Sequence, residues 1–201
     1  SRGLGDVYKR QPLKMINFNT EAYYFKSMEP TIESQFNFIK KELKNTDRTI
    51  FPWLIVTGHR PMYCSNSHSP NCLNWQNNEV RLSLESTFYE YNITAYISAH
   101  ENLYERICPI YNGSCQQHFK NFNKFNVSEL KYPIHIITGG AGNIEGITYF
   151  SNEKSNKWQE VLFDGVSFGV LESNYDELKW TEYSVDSNDN AYTIDYFTIN
   201  R

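Results

Sequence analysis

The sequence predicts an α/β chain that ends in an antiparallel sheet, and three observations predict it. Short apolar runs ending in Gly or His alternate with segments of helical spacing through the first two thirds of the chain. From Trp158 onward, strand-like segments follow one another across Gly, Asn and Asp turns. The 201 residues, 40% hydrophobic and 16% aromatic, suffice for one sizeable core and hardly for two.

Taken in order, residues 1–11 (SRGLGDVYKRQ) carry no asparagine, unlike the Asn-rich remainder. They look like a translated adapter read-through at the end of a fragmentary chain and are set aside as non-native, leaving residues 12–201 as the domain. LKMINFNT alternates apolar and polar residues, a strand pattern. In residues 30–45, Pro30 and Thr31 open a segment whose Ile32, Phe36, Ile39 and Leu43 fall at helical spacing. PWLIVTGH is a continuous apolar run discharging into Gly58 and His59, the look of a buried strand. Residues 78–91 set Val80, Leu82, Leu84 and Phe88 among charges, a helix pattern, and ITAYISAH is a second buried strand ending in His100. YPIHIITGGAGN repeats the form with a glycine turn. VLFDGVSFGVLES, ELKWTEYSV and AYTIDYFTI supply the closing strands. Residues 65–78 and 113–128 are polar enough to be long surface loops.

Net charge is −4, the sequence pI is near 5.7, and no Lys/Arg run stands out, which argues against a nucleic-acid or anionic-membrane footprint. No apolar run approaches the roughly 20 residues that span a bilayer. Cys64 with Cys72 and Cys108 with Cys115 are spaced more widely than zinc hooks and suit local disulfides. Sequons at Asn92, Asn112 and Asn126 join them in favouring an oxidising, secretory-route compartment.

In layered α/β proteins functional groups gather beyond strand C-termini, where His59, His100 and GGAGN fall. His59 and His100 either converge on one metal or each cap a strand through backbone bonds. His68 is a mobile general acid or a solvated loop histidine, His118 a surface residue, and His135 a satisfied structural histidine inside a strand. GGAGN either cradles an anion with backbone N–H groups or is a plain turn.

Taken together, PWLIVTGHRPMYCS, SAHENLYER and YPIHIITGGAGN resemble the second half of a purple acid phosphatase of the animal-type branch, within the calcineurin-like metallophosphoesterases. The resemblance implies a four-layer fold, two central β-sheets flanked by helices, here incomplete. It implies a two-metal centre, iron with zinc, manganese or iron, hydrolysing phosphate monoesters or phosphoproteins at acidic pH. His59 and His100 match histidine ligands of the divalent metal, and Asn102 stands where the iron-binding histidine is expected. An amide oxygen is a weaker ligand than imidazole, so iron affinity should fall. Gln76 stands where related sequences often carry a histidine, with His68 as a substitute acid. Gly139, Gly140 and Asn143 are expected to line the phosphate pocket. The family's remaining ligands precede residue 12, so this chain supplies only part of the centre, and its incomplete sheet should leave exposed edges. The parent is expected to be a secreted, lysosomal or vacuolar acid phosphatase glycoprotein whose signal peptide lies in the missing part. The alternative is a pseudo-phosphatase. The oligomeric state stays open.

Overall fold

The computed structural model describes residues 12–66, 69–116, 123–142, 144–149 and 157–201. Twelve strands appear among them: β1 (Leu13–Asn17), β2 (Trp53–Thr57), β3 (Ala95–Ser98), β4 (Tyr104–Ile107), β5 (Ile110–Tyr111), β6 (Ser114–Cys115), β7 (Lys124–Asn126), β8 (Ile134–Thr138), β9 (Gln159–Phe163), β10 (Ser167–Ser173), β11 (Glu177–Val185) and β12 (Ala191–Asn200). The helices are α1 (Pro30–Lys44), a single turn α2 (Pro70–Leu73) and α3 (Glu79–Glu90), with short 3-10 turns at Thr20–Tyr23, Lys26–Met28 and Trp75–Asn77.

A six-stranded sheet runs β1-β2-β3-β8-β4-β9, and a four-stranded sheet runs β10-β11-β12-β7. β1, β2, β3 and β8 are mutually parallel, whereas β4 lies antiparallel to both β8 and β9. Strand β2 shows why the apolar run is continuous. Its Leu54 and Val56 enter the core beneath the helices, and Trp53 and Ile55 enter the core between the two sheets. A strand covered on both faces has no polar side.

The helical face holds Ile39 and Leu43 of α1 with Val80, Leu84 and Phe88 of α3. In α3 these three recur every fourth residue, so they share one face. Leu82, expected on it, is 57% exposed because it projects from the opposite side. The Asn78 side chain caps α3 by accepting from Arg81 N at 2.9 Å, and its Nδ2 donates to Pro61 O at 2.9 Å. Between the sheets, Phe125, Leu178, Trp180, Phe197 and Ile199 meet Ile134 and Ile136. There Arg106 of β4 forks onto Asp195 of β12 at 2.7 and 3.1 Å, and Tyr104 donates to the same carboxylate at 2.6 Å. This buried ion pair spans the two sheets. Helix, sheet and sheet are three of the four layers expected, and the fold class agrees with the metallophosphoesterase reading.

Two expectations of surface loops are corrected. In residues 65–78, Ser65 and Asn66 are buried at 1% and 2% exposure, because Glu105 of β4 and Glu101 take their donors in the interior, and the segment continues into α2 and the Trp75–Asn77 turn. Residues 113–128 contribute β6 and β7, with Phe125 buried in the inter-sheet core.

Candidate metal centre

Because β2, β3 and β8 are adjacent and parallel, the turns leaving their C-terminal ends lie side by side. Gly58 N donates to Ile97 O at 3.1 Å and Ala99 N to His59 O at 3.0 Å, joining the first two turns. A side chain at Gly58 would come within 2.6 Å of Thr20 Cγ2 and 2.8 Å of the Tyr96 hydroxyl. Glycine therefore permits this approach. His100 has φ +63°, and Glu101 N donates to Ala99 O across it at 2.7 Å. That is a three-residue turn with a left-handed central residue, a rare and strained form.

The turn swings His100 onto His59. His100 Nδ1 lies 3.1 Å from His59 Nε2, with the rings 5.0 Å apart and nearly perpendicular. Arg60 NH1 lies 3.3 Å from His100 Nε2. A guanidinium only donates, so Nε2 is the acceptor and Nδ1 carries the proton given to His59. Burial, then the charge of Arg60, lowers the His100 pKa and so favours the neutral ring. Arg60 is itself held by Glu21, with Nε to Oε1 at 2.7 Å and NH2 to Oε2 at 2.9 Å, and it stacks on Tyr24 at 4.4 Å. The Arg60 hydrogen bond holds the Glu21 carboxyl below its ordinary range. Both imidazoles thus bond each other rather than serving as backbone strand caps.

Beyond His100, the Asn102 backbone pairs twice with Thr148, at 3.1 and 3.0 Å. The Asn102 side chain has no hydrogen bond among the described residues. Glu101, between them, turns inward and accepts from Asn66 Nδ2 at 3.0 Å and Ser69 Oγ at 2.6 Å. Glu105 accepts from Ser65 N at 2.9 Å, and burial pushes its pKa up to about 7. Ser65, Asn66 and Ser69 lie between Cys64 and Cys72, which are disulfide-bonded with Cα atoms 4.9 Å apart. Two carboxyls beside the site therefore anchor this closed loop. Cys64, Cys72 and Glu101 also bring ligand-type atoms within 4.8 Å of one another, but bridged sulfurs are not thiolates.

The glycine turn packs against the same place. A side chain at Gly139 would come within 2.1 Å of Glu101 O. Gly139 N donates to Leu103 O at 3.0 Å, and Gly140 O accepts from Ser167 N at 3.1 Å. The Gly139 N–H is thus bonded within the chain and is not free to hold an anion.

His68, His118 and Asn143 lie outside the described residues, as does the segment 1–11. Gln76 is exposed, and its carbonyl accepts from Arg81 NH2 at 2.9 Å. The second disulfide joins Cys108 and Cys115, so both pairings are as expected. Asn92, Asn112 and Asn126 are exposed, and the first two have left-handed φ of 48° and 47°. The satisfied role expected of His135 is corrected. It is 3% exposed, neither ring nitrogen has a hydrogen-bond partner among the described residues, and Tyr63 and Tyr96 face it edge-on at 5.2 and 5.6 Å. Desolvation lowers its pKa to about 3, so it packs as a neutral ring.

Glu21, Arg60, Glu101 and Glu105 escaped the sequence reading as site-forming residues. Periodicity offered no signal for Glu105, because YERI does not alternate and Glu105 shares its strand face with Ile107.

Residues 132–196 match the family described as Iron/zinc purple acid phosphatase-like protein C. Human "Acid phosphatase type 7" is 35% identical over 161 residues, covering 75% of this chain and 36% of that protein. An Arabidopsis thaliana protein named "Probable inactive purple acid phosphatase 1" is 30% identical over 168 residues, covering 83% of this chain and 26% of that one. The purple acid phosphatase PPD1 from yellow lupin seeds superposes with a TM-score of 0.75 at 26% identity, over 95% of this chain and 31% of the other. The chain spans about a third of the length of the curated relatives it first matches.

Proposed function

Given a chain that belongs to the purple acid phosphatase family, we propose that it supplies the divalent-metal histidines of a metal-dependent acid phosphatase, the rest of the centre coming from the preceding part of the parent protein. The observation that carries this reading is the convergence of His59 Nε2 and His100 Nδ1, two strand-end imidazoles 3.1 Å apart. The donor chemistry suits a borderline divalent metal, since His59 Nε2 and His100 Nδ1 lie 3.1 Å apart, and metal binding would move the His100 proton from Nδ1 to Nε2 in place of its contact with Arg60. Two bound metals would polarise the phosphate and supply a hydroxide nucleophile near neutral pH.

What the chain's own residues do follows from their contacts. Arg60, pinned by Glu21, fixes the His100 ring, and the left-handed turn at His100 aims it. The Cys64–Cys72 disulfide and the bonds of Ser65, Asn66 and Ser69 to Glu105 and Glu101 hold those residues beside the site, and His68, which lies outside the described residues, is the proposed acid for the leaving alcohol. Gly139 lets the third turn reach Glu101 without widening the site. Asn102 would offer an amide oxygen where imidazole is expected, so iron would be the weaker of the two metals. The substrates are phosphate monoesters or phosphoproteins. The two disulfides and three exposed sequons support a secreted or lysosomal glycoprotein. Among the described residues no helix is long and apolar enough to cross a membrane.

A second reading draws on Asn102 itself, a fold retained without turnover, as one relative's name says of that relative. The test is the full-length parent beside Asn102→His, with p-nitrophenyl phosphate hydrolysis at acidic pH and metal analysis. Turnover by the natural protein, with iron content rising in the variant, is expected. No turnover in the natural form and a gain in Asn102→His would overturn the enzyme reading in favour of the second.

A further inference from the structure

At the other end of the parallel strands from His59 and His100, the turns entering β2, β3 and β8 enclose a cavity of about 350 Å3. That volume lies at the small end of the range of about 300–1,000 Å3 for ligand sites. Arg48, from the turn before β2, and Lys131, before β8, are its charged lining residues, and among the described residues no Asp or Glu lines it. In a chain of net charge −4, two cations in a concavity without an acid run against the average surface.

The charge of Arg48 is not balanced by a carboxylate. NH1 donates to Asn92 O at 3.2 Å and NH2 to Pro52 O at 2.9 Å, both neutral dipoles. None of the ion pairs among the described residues includes Arg48. Desolvation lowers its pKa. The C-terminal end of α3 points here, and a helix C-terminus attracts cations. Three of its last-turn carbonyls are already taken: Thr87 O by Tyr91 N at 3.1 Å, Phe88 O by Ile93 N at 3.1 Å and Tyr89 O by Asn92 N at 3.1 Å. The guanidinium uses two of its five N–H groups in these bonds, which leaves three that can donate to an oxyanion.

Hydroxyls complete the polar wall. Thr94 Oγ1 accepts from Leu54 N at 3.1 Å, which leaves its proton to donate, and Ser128 lies on the exposed rim beside Lys131. Val127 and Leu130 supply an apolar side. We infer that this cavity is a binding site for a small ligand bearing a sulfate or phosphate group, held by Arg48 and Lys131, with any organic body resting on Val127 and Leu130. The site is independent of the phosphatase reading, because it shares no residue with the His59–His100 cluster.

The experiment uses the full chain, made without N-glycans because Asn92 lies at the cavity rim, and kept in chelator so that no metal centre competes for the anion. Sulfate is titrated against chloride at equal ionic strength, with thermal unfolding and calorimetry as readouts, and phenyl sulfate is compared with inorganic sulfate. Sulfate-specific stabilisation is expected. Lys131→Gln should weaken it about tenfold, the effect of removing one charge-assisted hydrogen bond to the anion. Arg48→Lys, which keeps the charge and gives up the guanidinium, should weaken it similarly. Tighter binding of phenyl sulfate would identify an organic ester as the ligand, and equal affinity the free ion. Equal stabilisation by sulfate and chloride would overturn the inference, as would full affinity in Lys131→Gln, an exposed position whose replacement leaves the fold intact.

Discussion

Glu105 gives the chain a built-in preference for acid. The carboxyl is fully buried, one oxygen accepts from Ser65 N, and the other has no hydrogen-bond partner among the described residues. Burial raises its pKa from 4.5 to about 7. The folded state therefore holds a proton that the unfolded state releases between pH 4.5 and about 7. Stability from this group is fully present below 4.5 and is lost as pH rises through the folded value. At about 1.4 kcal/mol for each pH unit, the loss across that interval is roughly 3 kcal/mol. His135 works the other way. Its pKa falls from 6.5 to about 3, so its contribution is lost as pH drops through that window. A wild-type profile alone would mix the two, and the comparison must be with Glu105→Gln, which keeps an acceptor for Ser65 and removes the titration. Urea unfolding followed by tryptophan fluorescence at pH 4.5 and pH 7 should show wild type losing about 3 kcal/mol more than the variant over the interval. Equal losses in the two proteins would refute the reasoning and place the proton elsewhere.

Glu182, also buried and with its pKa raised to about 7, should add a second decline of the same sign, read as a flatter pH profile in Glu182→Gln. Gly139→Ala should destabilise by more than about 2 kcal/mol in urea titration, since its methyl group meets backbone rather than a movable side chain. Arg81→Met should cost about 3–5 kcal/mol, because it strands Glu85, the buried acceptor for Tyr63 OH and Asn112 N, while Glu85→Gln should cost less. Opening Cys64–Cys72 by double substitution to Ser should cost about 2–3 kcal/mol and raise proteolysis within residues 64–72. Labelling of the unreduced protein should find no free thiol.

By itself the sequence determined the order and kind of the main elements, both disulfides and the strand-end position of both histidines. These are local properties. Continuous apolar runs such as WLIVT require burial on two faces, near cysteines can bridge only locally, and Gly-His at a strand end leaves the histidine in a loop. The tertiary structure decided what the residues between those elements do. Ser65 and Asn66 look like solvent residues until Glu105 and Glu101, forty and thirty-five positions away, take their donors in the interior. Arg60 reads as one basic residue in a motif until Glu21, from the first 3-10 turn, clamps it against His100. Gly139 and Gly140 read as a possible anion cradle, and the packing of β8 against the His100 turn spends the first N–H on Leu103. Polar groups far apart in sequence find partners only when strand order brings them together, and composition carries no record of which partner that is.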